Sequence, residues 1–112
     1  MNTDRDLRYL TYIRDSIDLI ETRALSGPKI FFSDLKEQDA VLWRLYTLAD
    51  ASNQLSQASK ERHPEIPWRR IAGFRNIAAH GYLELLLEAA WEIIDVHLTA
   101  LKAAVGDELS RM

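Results

Sequence analysis

The chain is 112 residues long, 47% hydrophobic and 28% charged, which excludes a disordered protein and leaves room for one domain, residues 1–112, with its own core. A formal charge of −3 gives the whole molecule no field that draws in nucleic acid. The absence of cysteine excludes a disulfide scaffold, a thiolate metal site and a Cys nucleophile.

The polar, acidic start from Met1 to Asp6 does not read as a targeting segment, so none is expected, and the apolar runs are short and broken by charges. A soluble, cytoplasmic protein with no membrane contact is expected. Residues 4–24 place Leu10, Ile13, Ile17, Ile20 and Ala24 at steps of three and four, one helical stripe. Thr3 with Asp6 resembles a capping box. Ser26-Gly27-Pro28 ends this helix, glycine taking the left-handed exit. Residues 29–33 read as a packed connection. A second helix, capped by Ser33 or Asp34, carries Val41, Leu45, Leu48, Ser52 and Leu55 through about residue 60.

His63-Pro64-Glu65-Ile66-Pro67 then breaks the chain, since each proline biases its predecessor away from helix. Pro67 is placed to open a short third helix ending near Ala79, with Gly81 as its C-terminal exit. From Leu83 a long stripe of Leu87, Ala90, Trp91, Ile94, Leu98, Leu101 and Val105 predicts a fourth helix ending before Gly106, and a frayed polar tail from Asp107 to Met112. No segment alternates with period two. The expected architecture is all-α, an up-and-down antiparallel helical bundle. At this size folding hides only about two thirds of the extended chain's surface, so a second copy would add stability.

Positive charge is local. Between residues 60 and 80, Lys60, Arg62, Arg69, Arg70 and Arg75 face only Glu61 and Glu65, and Lys60, Arg62, Arg69 and Arg70 are candidate RNA contacts beside the motif described next. There is no glycine-rich phosphate loop and no GxSxG. Asp95 and His97 lie on different helix faces and no Glu-x-x-His pair occurs, so neither a metal nor a cofactor is expected.

Arg75-Asn76-Ile77-Ala78-Ala79-His80-Gly81-Tyr82 gathers a guanidinium, an amide, an imidazole and a phenol at a helix end. An imidazole exchanges a proton at neutral pH, and a guanidinium pairs with phosphate and stabilises charge developing on its oxygens. Together they suit metal-free RNA cleavage with the ribose 2′-hydroxyl as nucleophile. Residues five apart on a helix diverge by about 140°, however, while those four apart share a face. Asn76 and His80 therefore align, and Arg75 meets His80 only if the helix ends there or a second copy supplies one of them. The plain alternative gives Arg75 a surface ion pair and His80 the carbonyls beside Gly81.

Arg75 to Tyr82 reads Arg-x4-His-x-Tyr and resembles the signature of the HepT-like toxins of the HEPN superfamily. The resemblance extends over His63-Pro64-Glu65-Ile66-Pro67-Trp68, Ile71 to Asn76, His80-Gly81-Tyr82 and Trp91. It implies a HEPN helical bundle, a homodimer with both motifs facing one cleft, and metal-independent endoribonuclease activity as the toxin of a type VII-like toxin–antitoxin pair. It further implies Arg75 and His80 as catalytic residues, Asn76 as the polar residue after the arginine, and Tyr82 as the acceptor of AMP from a minimal nucleotidyltransferase antitoxin. Two departures stand out: Asp50 is the only acidic residue in Leu48 to Asn53, where the family often has Glu, and Leu83 to Leu87 replaces a polar connection. The rival reading is a non-catalytic helical subunit that serves a nucleotidyltransferase as substrate through Tyr82; a third is a dimerising bundle with no site.

Overall fold

The computed structural model describes residues 3–112, and among them every regular element is helical. Helix α1 (Thr3–Ala24) buries Leu10, Ile13, Ile17 and Ile20 completely, the stripe its spacing predicts. Gly27 leaves the helix at φ 86°, as expected of a left-handed exit. The segment read as a packed connection is instead partly helical: Gly27–Phe31 forms one turn, α2, because Pro28 is preset for its start. Phe31 is buried from α2 against Trp91, with ring centroids 5.5 Å apart.

Asp34 caps α3 (Leu35–Gln54), accepting from the amides of Lys36 at 2.9 Å and Glu37 at 3.3 Å. The expected continuation to residue 60 does not occur. Leu55 and Ser56 are extended, and Ser56 caps a separate turn, α4 (Gln57–Glu61). Asp6 accounts for the break. Only 4% exposed, its carboxylate accepts from the Ser56 amide at 2.9 Å, Ser56 Oγ at 2.6 Å and Ser59 Oγ at 2.7 Å. An amide bonded to a carboxylate fifty residues away cannot also continue a helix. Burial pushes this carboxyl up, but the hydrogen bonds from Ser56 and Ser59 outweigh it and hold it below the ordinary range. The side chain of Thr3, the other half of the expected capping pair, lies outside the described residues. Asp6→Ala is expected to lower stability by about 2 kcal/mol, since it strands the part-buried Ser56 amide and the buried Ser59 hydroxyl, and Asp6→Asn by less. Urea unfolding checks this; an unchanged midpoint for Asp6→Ala would contradict it.

After the prolines, Pro67 stands at the cap of α5 (Trp68–Ala72) rather than inside it, and Gly73 separates α5 from α6 (Phe74–His80). The expected third helix is thus two short pieces. Trp68 fastens the turn, its indole Nε1 donating to the carbonyls of Lys60 at 3.1 Å and His63 at 3.0 Å. Helix α7 (Leu83–Glu92) passes through a π turn, Ile93–His97, into α8 (Leu98–Ser110). The π turn swings Ile93 into the core with Leu98, five residues on, and leaves Ile94 half-buried. The helix also continues through Gly106, correcting the expected stop and frayed tail. Glu108 explains why: it is 3% exposed and accepts from Arg62 Nε at 2.9 Å and Nη2 at 2.6 Å, with His63 Nε2 2.9 Å away.

The helices alternate in direction. Arg5 bonds Gln54, Tyr12 bonds Thr47 and Arg23 pairs with Glu37, so α1 and α3 are antiparallel. Lys102 reaches Glu21 from α8, while Arg75 on α6 reaches back to Asp50 on α3. Leu45, Leu48, Ile71, Phe74, Leu101 and Val105 close the core between them. No helix among the described residues is long and apolar enough to cross a membrane.

Candidate active site and basic groove

Arg75 is the second residue of α6 and turns its side chain onto α3. Its Nη1 is 3.1 Å from Asp50 Oδ1, and its guanidinium carbon lies 5.8 Å from the centre of the Tyr46 ring, which stacks on Trp43 at 6.0 Å. One oxygen and one aromatic face therefore orient the cation. Its Nε is buried and has no hydrogen-bond partner among the described residues, an unmet donor of the kind that structures otherwise avoid.

Beside it, Asn53, Lys60, Trp68, Arg69, Arg75 and Asn76 surround a cavity of about 480 Å³. Two of the four expected RNA contacts thus share a groove with Arg75 and Asn76. The other two do not. Arg62 is held by Glu108, and Arg70 pairs with Glu92, whose carboxyl this guanidinium holds below the ordinary range. Lys60 and Arg69 make no ion pair among the described residues.

His80 ends α6 exposed and does not line the cavity. Five residues apart on one helix, Arg75 and His80 diverge by about 140° around its axis. Gly81 is not the left-handed exit expected of it: its backbone is extended, φ −85° and ψ 166°. Glycine is required there by close approach, since a Cβ would lie 2.7 Å from the Ile77 carbonyl oxygen. Tyr82 follows as the cap of α7, 68% exposed, so the whole connection is Gly81-Tyr82 and the leucine-rich segment is already helix. Leu83 and Leu85 remain exposed.

Tyr46, Asp50 and Asn53 are the site residues that the motif alone does not reveal. Their steps of four and three on α3 mark one polar face, the signal that could have found them. His63, Asp107 and Glu108 form a further group, with ligand atoms within 4.8 Å of one another; Arg62 already supplies a positive charge there.

The family described as "Ribonuclease HepT-like" matches residues 13–107. A Thermococcus cleftensis protein named "Probable ribonuclease HepT" is 34% identical over 96 residues, which cover 84% of this chain and 86% of that one. A Methanocaldococcus jannaschii protein, named for a gamma-glutamylcyclotransferase and provisionally for an RNase, is 31% identical over 87% of this chain but only 44% of its own length. A third, from Caldanaerobacter subterraneus and provisionally named an RNase, is 27% identical over 92% of this chain and 93% of its own. No solved structure matches. With its fold all-helical and the family match covering most of its length, this chain belongs to the HepT-like ribonuclease family.

Proposed function

We propose that the chain is a metal-independent endoribonuclease toxin of a type VII-like toxin–antitoxin pair, a single-domain protein acting in the cytoplasm as a homodimer. RNA is its substrate, and Arg75, Asn76 and His80 act on it. The His80 imidazole takes the proton of a ribose 2′-hydroxyl, whose oxygen attacks the adjacent phosphorus. The bond to the 5′-oxygen breaks and the imidazolium returns the proton to that leaving oxygen, so the products are a 2′,3′-cyclic phosphate and a 5′-hydroxyl. Arg75 faces the charge growing on the phosphoryl oxygens. The homodimer supplies His80 of one copy to Arg75 of the other.

The observation that carries this reading is Arg75 itself: a cation steadied by Asp50 and Tyr46 at a basic groove, its buried Nε without a partner. The RNase names of the relatives support the same chemistry. Tyr82 is the AMP acceptor for a minimal nucleotidyltransferase antitoxin; its exposure suits that role. AMP there adds negative charge and bulk two residues from His80, where a substrate phosphate must enter.

Expression of the chain alone is expected to arrest bacterial growth, and His80→Ala to relieve the arrest with helicity unchanged. Equal toxicity of the variant would discard the nuclease reading. Tyr82→Phe should stay toxic yet escape neutralisation; mass spectrometry finding AMP on another residue would reject that role. One observation favours the second reading, a non-catalytic substrate of a nucleotidyltransferase: within one chain His80 stays outside the groove while Tyr82 is exposed. Cleavage of RNA by the purified chain in excess EDTA separates the two, and cleavage that needs a divalent ion would refute metal independence.

A further inference from the structure

The groove does not stop at Arg75 and Asn76. A second cavity, of about 600 Å³, opens toward Pro64 and Pro67 and shares Asn53, Lys60, Trp68 and Arg69 with the first. Those four residues therefore stand where the two cavities meet. Lys60 and Arg69 are there without a carboxylate partner, and the exposed Asn53 amide without a hydrogen-bond partner, among the described residues. Glu61 is the one acidic residue on the walls of the second cavity. The wall is also braced: the carbonyls of Lys60 and His63 both accept from the Trp68 indole, which ties α4 to α5 across the groove.

Resting on the ribonuclease reading, we infer that Asn53, Lys60, Trp68 and Arg69 form a flanking-nucleotide subsite for single-stranded RNA. The two cations take the phosphate next to the scissile one, and the Asn53 amide bonds to the edge of its base. An amide offers a donor and an acceptor together, the pattern that base edges present. A cavity of this size admits an unstacked nucleotide and excludes a duplex, whose base edges are hidden and whose phosphates lie on the outside. Cations without partners release counterions when they meet phosphate, so the subsite has a salt signature.

The test is fluorescence anisotropy of the full chain carrying His80→Ala, which separates binding from cleavage, with a labelled single-stranded RNA hexamer, an RNA duplex and AMP, over a range of salt. Lys60→Ala and Arg69→Ala should each weaken hexamer binding and lower the salt slope by about 0.7, the single-strand value for one phosphate contact. Lys102→Ala, an equal loss of charge on a residue paired with Glu21, should leave it unchanged. Asn53→Ala should alter the ranking of poly-U, poly-A and poly-C hexamers with the slope intact. Wild-type slopes in the Lys60 and Arg69 variants, equal affinity for the duplex, or AMP binding as tightly as the hexamer would each overturn the subsite. If instead these binding results hold and the wild-type chain leaves RNA uncut, the subsite stands and the ribonuclease reading falls.

Discussion

Chains carrying Arg75→Ala and His80→Ala, each inactive alone, are expected to recover roughly a quarter of the wild-type RNA cleavage when mixed and allowed to exchange subunits. If Arg75 and His80 act as proposed, the first variant should fall roughly a thousandfold and the second roughly a hundred- to ten-thousand-fold. The recovery follows from geometry. Arg75 is committed to the groove by Asp50 and Tyr46, and His80, five residues on, is exposed outside it. If the partner's histidine completes each site, a mixed dimer holds one site with both residues intact and one with neither. Half of the dimers are mixed, which gives the quarter. Mixtures no more active than their components would place both residues of a site on the same chain and refute the shared cleft.

Acid is expected to loosen the bundle at one end, and Glu108 is the group responsible. Its carboxyl is held at about 2 by hydrogen bonding from Arg62, which prevails over burial with help from His63, against an ordinary value of 4.5. Because the folded state binds this proton more weakly than the unfolded state, the stabilisation is complete above about pH 4.5 and is lost as pH falls toward 2. Its size is about 3 kcal/mol. Asp6, also held below its ordinary value of 3.8, adds a loss of the same sign at the lower end of that window. Glu108→Gln should be less stable at neutral pH and correspondingly flatter through the acid range. Urea midpoints measured at several pH values check this, and parallel acid profiles for the variant and the wild type would contradict it.

Local pattern was enough to read the stripe of α1, a cap at Ser33 or Asp34, and the proline break, and the structure gives the cap to Asp34. Pattern alone could not show that Asp6 reaches across fifty residues to stop α3, nor that Glu108 meets Arg62 and His63 and so carries α8 past Gly106. Those outcomes depend on which chain segments meet, and a polar residue's partner leaves no mark on hydrophobic spacing. The π turn is hidden for a related reason: Ile93 and Ile94 are adjacent and equally apolar, so composition is silent about which one turns inward. Arg75, Asn76, His80 and Tyr82 stand together in sequence, but spacing does not show that Arg75 and Asn76 line the groove while His80 and Tyr82 do not. Asp50 was visible only as the acidic residue at hand. Its grip on Arg75 came from the packing of α3 on α6, and the division of the basic residues into Lys60 and Arg69 in the groove and Arg62 and Arg70 away from it came from Glu108 of α8 and Glu92 of α7.

The bend at Gly81 sets His80 and Tyr82 on a strip of backbone whose side chains are fastened to nothing else among the described residues. Another enzyme could therefore draw the Tyr82 hydroxyl into its own cleft without prising open the bundle. A group carried on that exposed hydroxyl would leave Arg75, steadied by Asp50 and Tyr46, and the cavity beside it in their present shape.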